Sequence, residues 1–174
     1  MGQAEKKALT IQKMAENLAS FAIDREDIKM LIQAIPENCG LNLTQVEYEL
    51  QILKILSVGW AVSFYMPQGD QKKRLTRLFW EYIREISKNI SNITETTTGT
   101  SIDYFSILKE RLDTYVKKMQ ENQTSASEPS VIMGPAFAEA CTSPENAVAI
   151  LTGTKMFTLT LGGIKEYLNS VTLE

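Results

Sequence analysis

Histidine is missing from all 174 residues of the chain. Ser-His-Asp and Cys-His catalysis therefore lack their base, and zinc centres of the Cys/His type lack ligands. Di-iron bundles built on paired Glu-x-x-His motifs are excluded on the same ground. Cysteine is nearly as scarce. Cys39 and Cys141 stand far apart, with no CxxC spacing, and read as buried, reduced thiols that behave as small hydrophobes. No metal and no cofactor is expected.

Glycine is thin where phosphate chemistry would need it. There is no GxxxxGK[ST], and the one adjacent pair, Gly162-Gly163, lacks the third glycine of a dinucleotide fingerprint. The pair reads instead as a place where two helices approach closely. Excess charge is lacking too: the net charge of -3 gives no field suited to gripping a phosphate backbone. A helix-turn-helix drawn over Ala15 to Leu31 would begin its second helix with Asp24-Arg25-Glu26-Asp27, which sets acids against phosphates, so no sequence-specific nucleic-acid binding is expected. Those three acids read as a helix cap and a solvated face rather than an oxygen-ligand metal site.

Long apolar runs are also absent. The longest uncharged stretch, Ile55 to Gly69, contains Pro67 and falls short of the roughly 20 residues that span a bilayer. No transmembrane segment is expected. Met1 to Lys7 lead into an amphipathic pattern without the apolar core of a signal peptide, from which a cytoplasmic location follows as the expectation.

What remains is an ordinary globular composition, 44% hydrophobic and 22% charged, long enough for one well-buried core. Helical periodicity dominates it. Ala4, Ala8, Ile11, Ala15, Leu18 and Ala22 share one helical face; Asp24 caps a short second helix that Pro36 ends. Thr44-Gln45-Val46-Glu47 has the form of a capping box. It opens the most apolar segment, where Lys54 is the only charge between Leu50 and Met66. A helix apolar nearly all round is enclosed by protein, so residues 44–66 are placed at the centre of the fold.

After the turn Pro67-Gln68-Gly69-Asp70, an amphipathic stripe runs from Leu75 to Ile93 and gives way to a polar loop over Ser91 to Ser101. Thr100 to Asp103 cap the next helix, with Phe105, Leu108, Leu112, Tyr115, Val116 and Met119 on its face. A polar, mobile connection follows near 120–130. Gly134-Pro135 interrupts the next stretch, Ser143-Pro144-Glu145 starts a helix and Gly153 stops it. The last segment alternates as a strand at Phe157, Leu159 and Leu161, but keeps helical spacing through Val171; helix is the choice for 154–162. The expected fold is all-α: a single-domain bundle of about six to eight helices around the central one.

Three features could carry function. Trp60, Phe64 and Tyr65 end the central helix and Trp80 lies early on the next, where they could line a pocket or an interface. Lys72, Lys73, Arg74 and Arg77 oppose the dipole at a helix start, which suits docking of an anion or acidic partner as well as a solvated first turn. Lys54, Glu139 and Lys155 are isolated charges in apolar surroundings. Each could reach water along a polar stripe, as Lys54 could beside Thr44, Glu47 and Gln51. Alternatively, Glu139 could form a buried ion pair with Lys54 or Lys155.

With no catalytic set in view, the leading expectation is a non-catalytic interaction or oligomerisation module, with a protein partner or self-association. The alternative is a helical bundle that binds an apolar or anionic small molecule in an inter-helix pocket near Trp60 and Trp80. An enzyme using only Asp, Glu, Lys, Tyr or Cys ranks third.

Overall fold

The apolar segment at the middle of the sequence is the middle of the protein. A computed structural model describes residues 6–122 and 128–174. Among these, seven helices occur: α1 (Ile11–Ile23), α2 (Glu26–Gln33), α3 (Leu43–Tyr65), α4 (Asp70–Thr98), α5 (Tyr104–Glu121), α6 (Ser130–Ala140) and α7 (Ala147–Ser170). Helix α3 packs against all six others, and every residue from Ile52 through Gly59 is buried. One continuous core runs from Met14 and Leu18 of α1 across α3 to Phe137 of α6 and Phe157 of α7. The protein is an all-α bundle with α3 as its axis.

Several local expectations are corrected. The first helix begins at Ile11, not Ala4, because the Thr10 side chain accepts from the Lys13 amide and sets the start there. Lys7–Leu9 instead forms strand β1, paired in parallel with β2, Val171–Leu173. A ladder this short is marginal alone. It is held by its continuity with α1 and α7, which the Asn17 to Tyr167 hydrogen bond, 3.0 Å, ties together.

Helix α3 is capped by Asn42, whose side chain accepts from the Gln45 amide, rather than by Thr44. The polar stretch expected as a loop from Ser91 is helical to Thr98. Ser91, Thr94, Thr96 and Thr98 each donate to the carbonyl four residues back, so their hydroxyls are satisfied along the helix instead of competing with it. Gly99, left-handed at φ 71°, ends it.

Gly134-Pro135 does not break α6; Pro135 lies on the exposed side of the helix, where water can serve the carbonyl that loses its partner. Gly153 does not stop α7 but lies inside it. Asn146 starts that helix by accepting from the Val148 and Ala149 amides. The segment 154–162 is helical, as its longer pattern implied. Of the connection expected near 120–130, residues 123–127 lie outside those described, while Gln120 and Glu121 close α5 and Ser130 opens α6.

The glycines explain how α6 and α7 pack. A Cβ on Gly134 would lie 2.7 Å from the Ile150 carbonyl oxygen, and one on Gly153 would lie 2.6 Å from Phe137. These two helices touch nearly backbone to backbone. The pair singled out from the sequence behaves otherwise: Gly162 has open space around it, and only Gly163 meets a neighbour, the Phe21 ring. By length and composition α7 could cross a membrane. Seven of its residues, Ala149, Thr152, Gly153, Met156, Phe157, Thr160 and Ile164, are buried in the bundle.

Candidate functional site

Helices α3 and α4 form a hairpin that is tight near its turn and open away from it. Near the turn, Trp80 lies against Gly59, where an added Cβ would come within 2.7 Å of the indole. Farther along, the two helices leave a groove of about 640 Å³, within the range of roughly 300 to 1,000 Å³ common to ligand pockets. Ile55 of α3 and Ile83, Ile86 and Ile90 of α4 line it. Ile23 from the end of α1, Ile102 from the α4–α5 connection and Tyr104 from the start of α5 also line it. Tyr48 meets Tyr104 edge to face, with centroids 6.1 Å apart.

The polar side chains around the groove are largely spoken for. Ser87 donates to the Ile83 carbonyl, Ser91 to the Ser87 carbonyl and Thr94 to the Ile90 carbonyl. Ser91 Oγ also accepts from the Tyr104 amide, and Gln51 donates to the Ala22 carbonyl. At the rim, Arg25 and Glu47 form an ion pair with each other. Most polar groups of the lining are therefore taken up within the protein. Tyr104 is 5% exposed. Burial, with smaller contributions from Tyr48 and Glu49, pushes its phenol above the usual tyrosine range, so at neutral pH it is a protonated O–H.

The aromatic residues singled out from the sequence do not meet in one pocket. Trp60 stacks on Phe64 at 4.9 Å and meets Phe157 of α7 edge-on at 5.6 Å, whereas Trp80 sits over Gly59 on another side of α3. None of Trp60, Phe64, Tyr65 and Trp80 lines the groove. Phe64 is 63% exposed and also contacts Tyr65, and Lys165 stands over the Tyr65 ring.

In the basic cluster, Lys73, Arg74 and Arg77 are exposed and Lys72 is buried along the first turn of α4. Arg77 pairs with Glu81 at 3.7 Å.

The three isolated charges do not find one another. Lys54 is wholly buried, but its partners lie at the α1–α2 junction: the Asp24 carbonyl at 2.8 Å, and the Asp27 and Asp24 carboxylates at 3.3 and 3.8 Å. The Phe21 ring lies 4.6 Å from its ammonium. Glu139 is half-exposed and pairs with Lys118, while Lys155 is exposed. The aspartates missed as partners of Lys54 stand 30 residues or so away from it, and the fold alone joins them.

A second buried pair escaped the sequence reading. Glu49 of α3, 2% exposed, is gripped by both Nε and Nη2 of Arg111 from α5, at 3.0 and 2.7 Å. Such fork geometry is among the stronger polar contacts available. Glu49 in turn raises the Arg111 pKa, chiefly through these hydrogen bonds. Beside the pair, the Tyr115 hydroxyl is buried with no hydrogen-bond partner among the described residues. Burial pushes the Cys141 thiol up to about 12, which leaves it protonated and unreactive near neutral pH. Nothing in this cluster offers an activated nucleophile. Among the described residues, no three His, Cys, Asp or Glu side chains gather closely enough to hold a metal ion.

The groove residues were visible in the sequence only as the apolar stripe of α4. The available signal was its length. Ile90 and Ile93 continue the stripe beyond what α3 covers and are 37% and 66% exposed, more than core packing explains. Comparison of the chain with protein-family models, with characterised proteins and with solved structures finds no match.

Proposed function

We propose that this protein is a non-catalytic binding module whose working site is the groove between α3 and α4, which takes up an apolar small molecule. The observation that carries the reading is the groove itself: about 640 Å³ of space walled by isoleucine and tyrosine, with the Ser87, Ser91 and Thr94 hydroxyls and the Gln51 amide bonded to backbone carbonyls. Water gains few hydrogen bonds there, so an apolar molecule displaces it at small cost. The chemistry of the chain agrees. No histidine is present, and the thiol pressed deepest into the bundle is held protonated by burial.

The test uses a neutral dye that brightens in apolar surroundings, N-phenyl-1-naphthylamine, titrated into the full chain. Saturable brightening is expected, and Ile86→Trp, which fills the groove, is expected to abolish it while leaving the melting temperature within a few degrees. Brightening that survives Ile86→Trp unchanged would place the dye elsewhere and end this reading.

A second reading rests on a different observation. Phe64 is 63% exposed and stacked on Trp60 at the turn end of the bundle, which suits an interface with a protein partner or a second copy, since aromatic anchors dominate such surfaces. Light scattering at rising concentration checks self-association. A mass that stays at one chain, 19.5 kDa, removes the oligomeric version.

A further inference from the structure

Resting on the groove as a binding site, we propose that its occupant is an uncharged, largely apolar molecule with one hydrogen-bond acceptor, a ketone or ester oxygen, placed over the Tyr104 hydroxyl. The hydrogen-bond donors around the groove differ in what they have left to give. The hydroxyls of Ser87, Ser91 and Thr94 donate to their own helix, and the Gln51 amide donates to α1. Thr44, Tyr48 and Tyr104 also line the groove, and their hydroxyls have no hydrogen-bond partner among the described residues; Thr44 and Tyr48 are exposed to water, whereas Tyr104 is nine-tenths buried. Unlike the Tyr115 oxygen, which is fully enclosed, the Tyr104 oxygen keeps some access to solvent, so water or a ligand can serve it.

The protonation state follows from the surroundings. Burial raises the Tyr104 pKa, and Glu49 nearby raises it further. The phenol is thus a donor throughout the physiological range, and an acceptor is the complementary group. Tyr48, which meets Tyr104 edge to face, is more exposed and can turn its own hydroxyl to water.

Charge balance favours a neutral occupant over an ionic one. The two charges at the rim, Arg25 and Glu47, pair with each other. A carboxylate ligand would have to take Arg25 from Glu47, and a cation would have to take Glu47 from Arg25. Arg25 and Glu47 are each about half exposed, so either exchange trades one weak ion pair for another and gains little, while the ligand's own charge loses water over the apolar floor. A neutral molecule disturbs neither.

The experiment is displacement of N-phenyl-1-naphthylamine from the full chain by 2-undecanone, undecane and undecanoate, repeated with Tyr104→Phe. Because the hydroxyl makes no bond among the described residues, Tyr104→Phe is expected to melt as the parent does. The ketone is expected to lose about 3- to 10-fold in affinity in the variant, the value of one hydrogen bond of ordinary strength, while undecane is unchanged and undecanoate is weaker than the ketone in both proteins. On the parent protein alone, the infrared carbonyl stretch of bound 2-undecanone should move to lower frequency. A ketone indifferent to Tyr104→Phe, an unshifted carbonyl stretch, or undecanoate binding more tightly than the ketone would overturn the proposal while leaving the groove a binding site. A dye that never binds would remove the groove reading and this inference together.

Discussion

Adding one methyl group at Gly134 and one at Gly162 should move the stability of this protein in opposite directions. Both residues lie inside helices, α6 and α7, where alanine is favoured over glycine by about 1 kcal/mol. At Gly162 nothing lies within 4 Å of the added carbon, so most of that gain should appear, about 0.5 to 1 kcal/mol. At Gly134 the carbon would stand 2.7 Å from the Ile150 carbonyl oxygen and closer still to the Thr154 side chain.

Thr154 can rotate away, but the Ile150 carbonyl belongs to the backbone of α7. The two helices must therefore separate, which opens gaps along a packed seam; overpacking of this kind costs about 1 to 3 kcal/mol, and the backbone obstacle puts Gly134→Ala at the upper end. The net loss is about 2 kcal/mol. For a chain of this length each kcal/mol moves the melting temperature by roughly 2 to 4 °C, so Gly134→Ala should melt about 4 to 8 °C below the parent and Gly162→Ala about 2 °C above it. Thermal denaturation followed by circular dichroism reads both. Equal effects at the two sites, or a stabilised Gly134→Ala, would refute the close approach of α6 and α7.

The Lys54 cluster predicts an asymmetry. Lys54→Met removes a buried cation and leaves Asp24 and Asp27, whose side chains are 50% and 33% exposed, free to be solvated; chemical denaturation should show a change below about 1 kcal/mol. Asp24→Asn with Asp27→Asn leaves the ammonium buried with only the Asp24 carbonyl and the Phe21 ring, and should cost about 2 to 3 kcal/mol, because an uncompensated buried charge is the expensive case.

Alkaline pH should unfold the protein. The folded pKa values of Cys141, Tyr104 and Tyr115 are all raised by burial, so the unfolded chain releases these protons first. The stability they contribute is full below pH 9 and is lost as pH rises towards 12 and beyond. A flat stability profile from pH 8 to 11 would contradict this. For the same reason iodoacetamide at pH 8 should label Cys39 well before the buried Cys141.

The helical class and the central position of α3 were legible because they rest on local information: a long run with no polar face can only be enclosed. The polar tail of α4 was not. Ser91, Thr94, Thr96 and Thr98 look like a loop until their hydroxyls are seen to bond four residues back. Parallel pairing of Lys7–Leu9 with Val171–Leu173 joins opposite ends of the chain, and no local pattern announces a contact so distant. Both buried ion pairs failed to show for the same reason. Lys54 looked solitary because its aspartates belong to another helix junction, and Glu49 was hidden because Arg111 reaches it from α5. The groove was missed because its walls carry the same residues as a core. Only the exposure of Ile90, and the wedge of Trp80 on Gly59 that holds one end of the hairpin closed, distinguish it.

The most direct measurement is the methyl NMR spectrum of the isoleucine-labelled protein titrated with 2-undecanone. The expected result is saturable shifts at Ile55, Ile83, Ile86 and Ile90, the walls of the groove, with Ile28 and Ile164, buried and not among the lining residues, moving far less. Shifts spread evenly over all isoleucines, or none at ketone concentrations that saturate the dye displacement, would contradict the account.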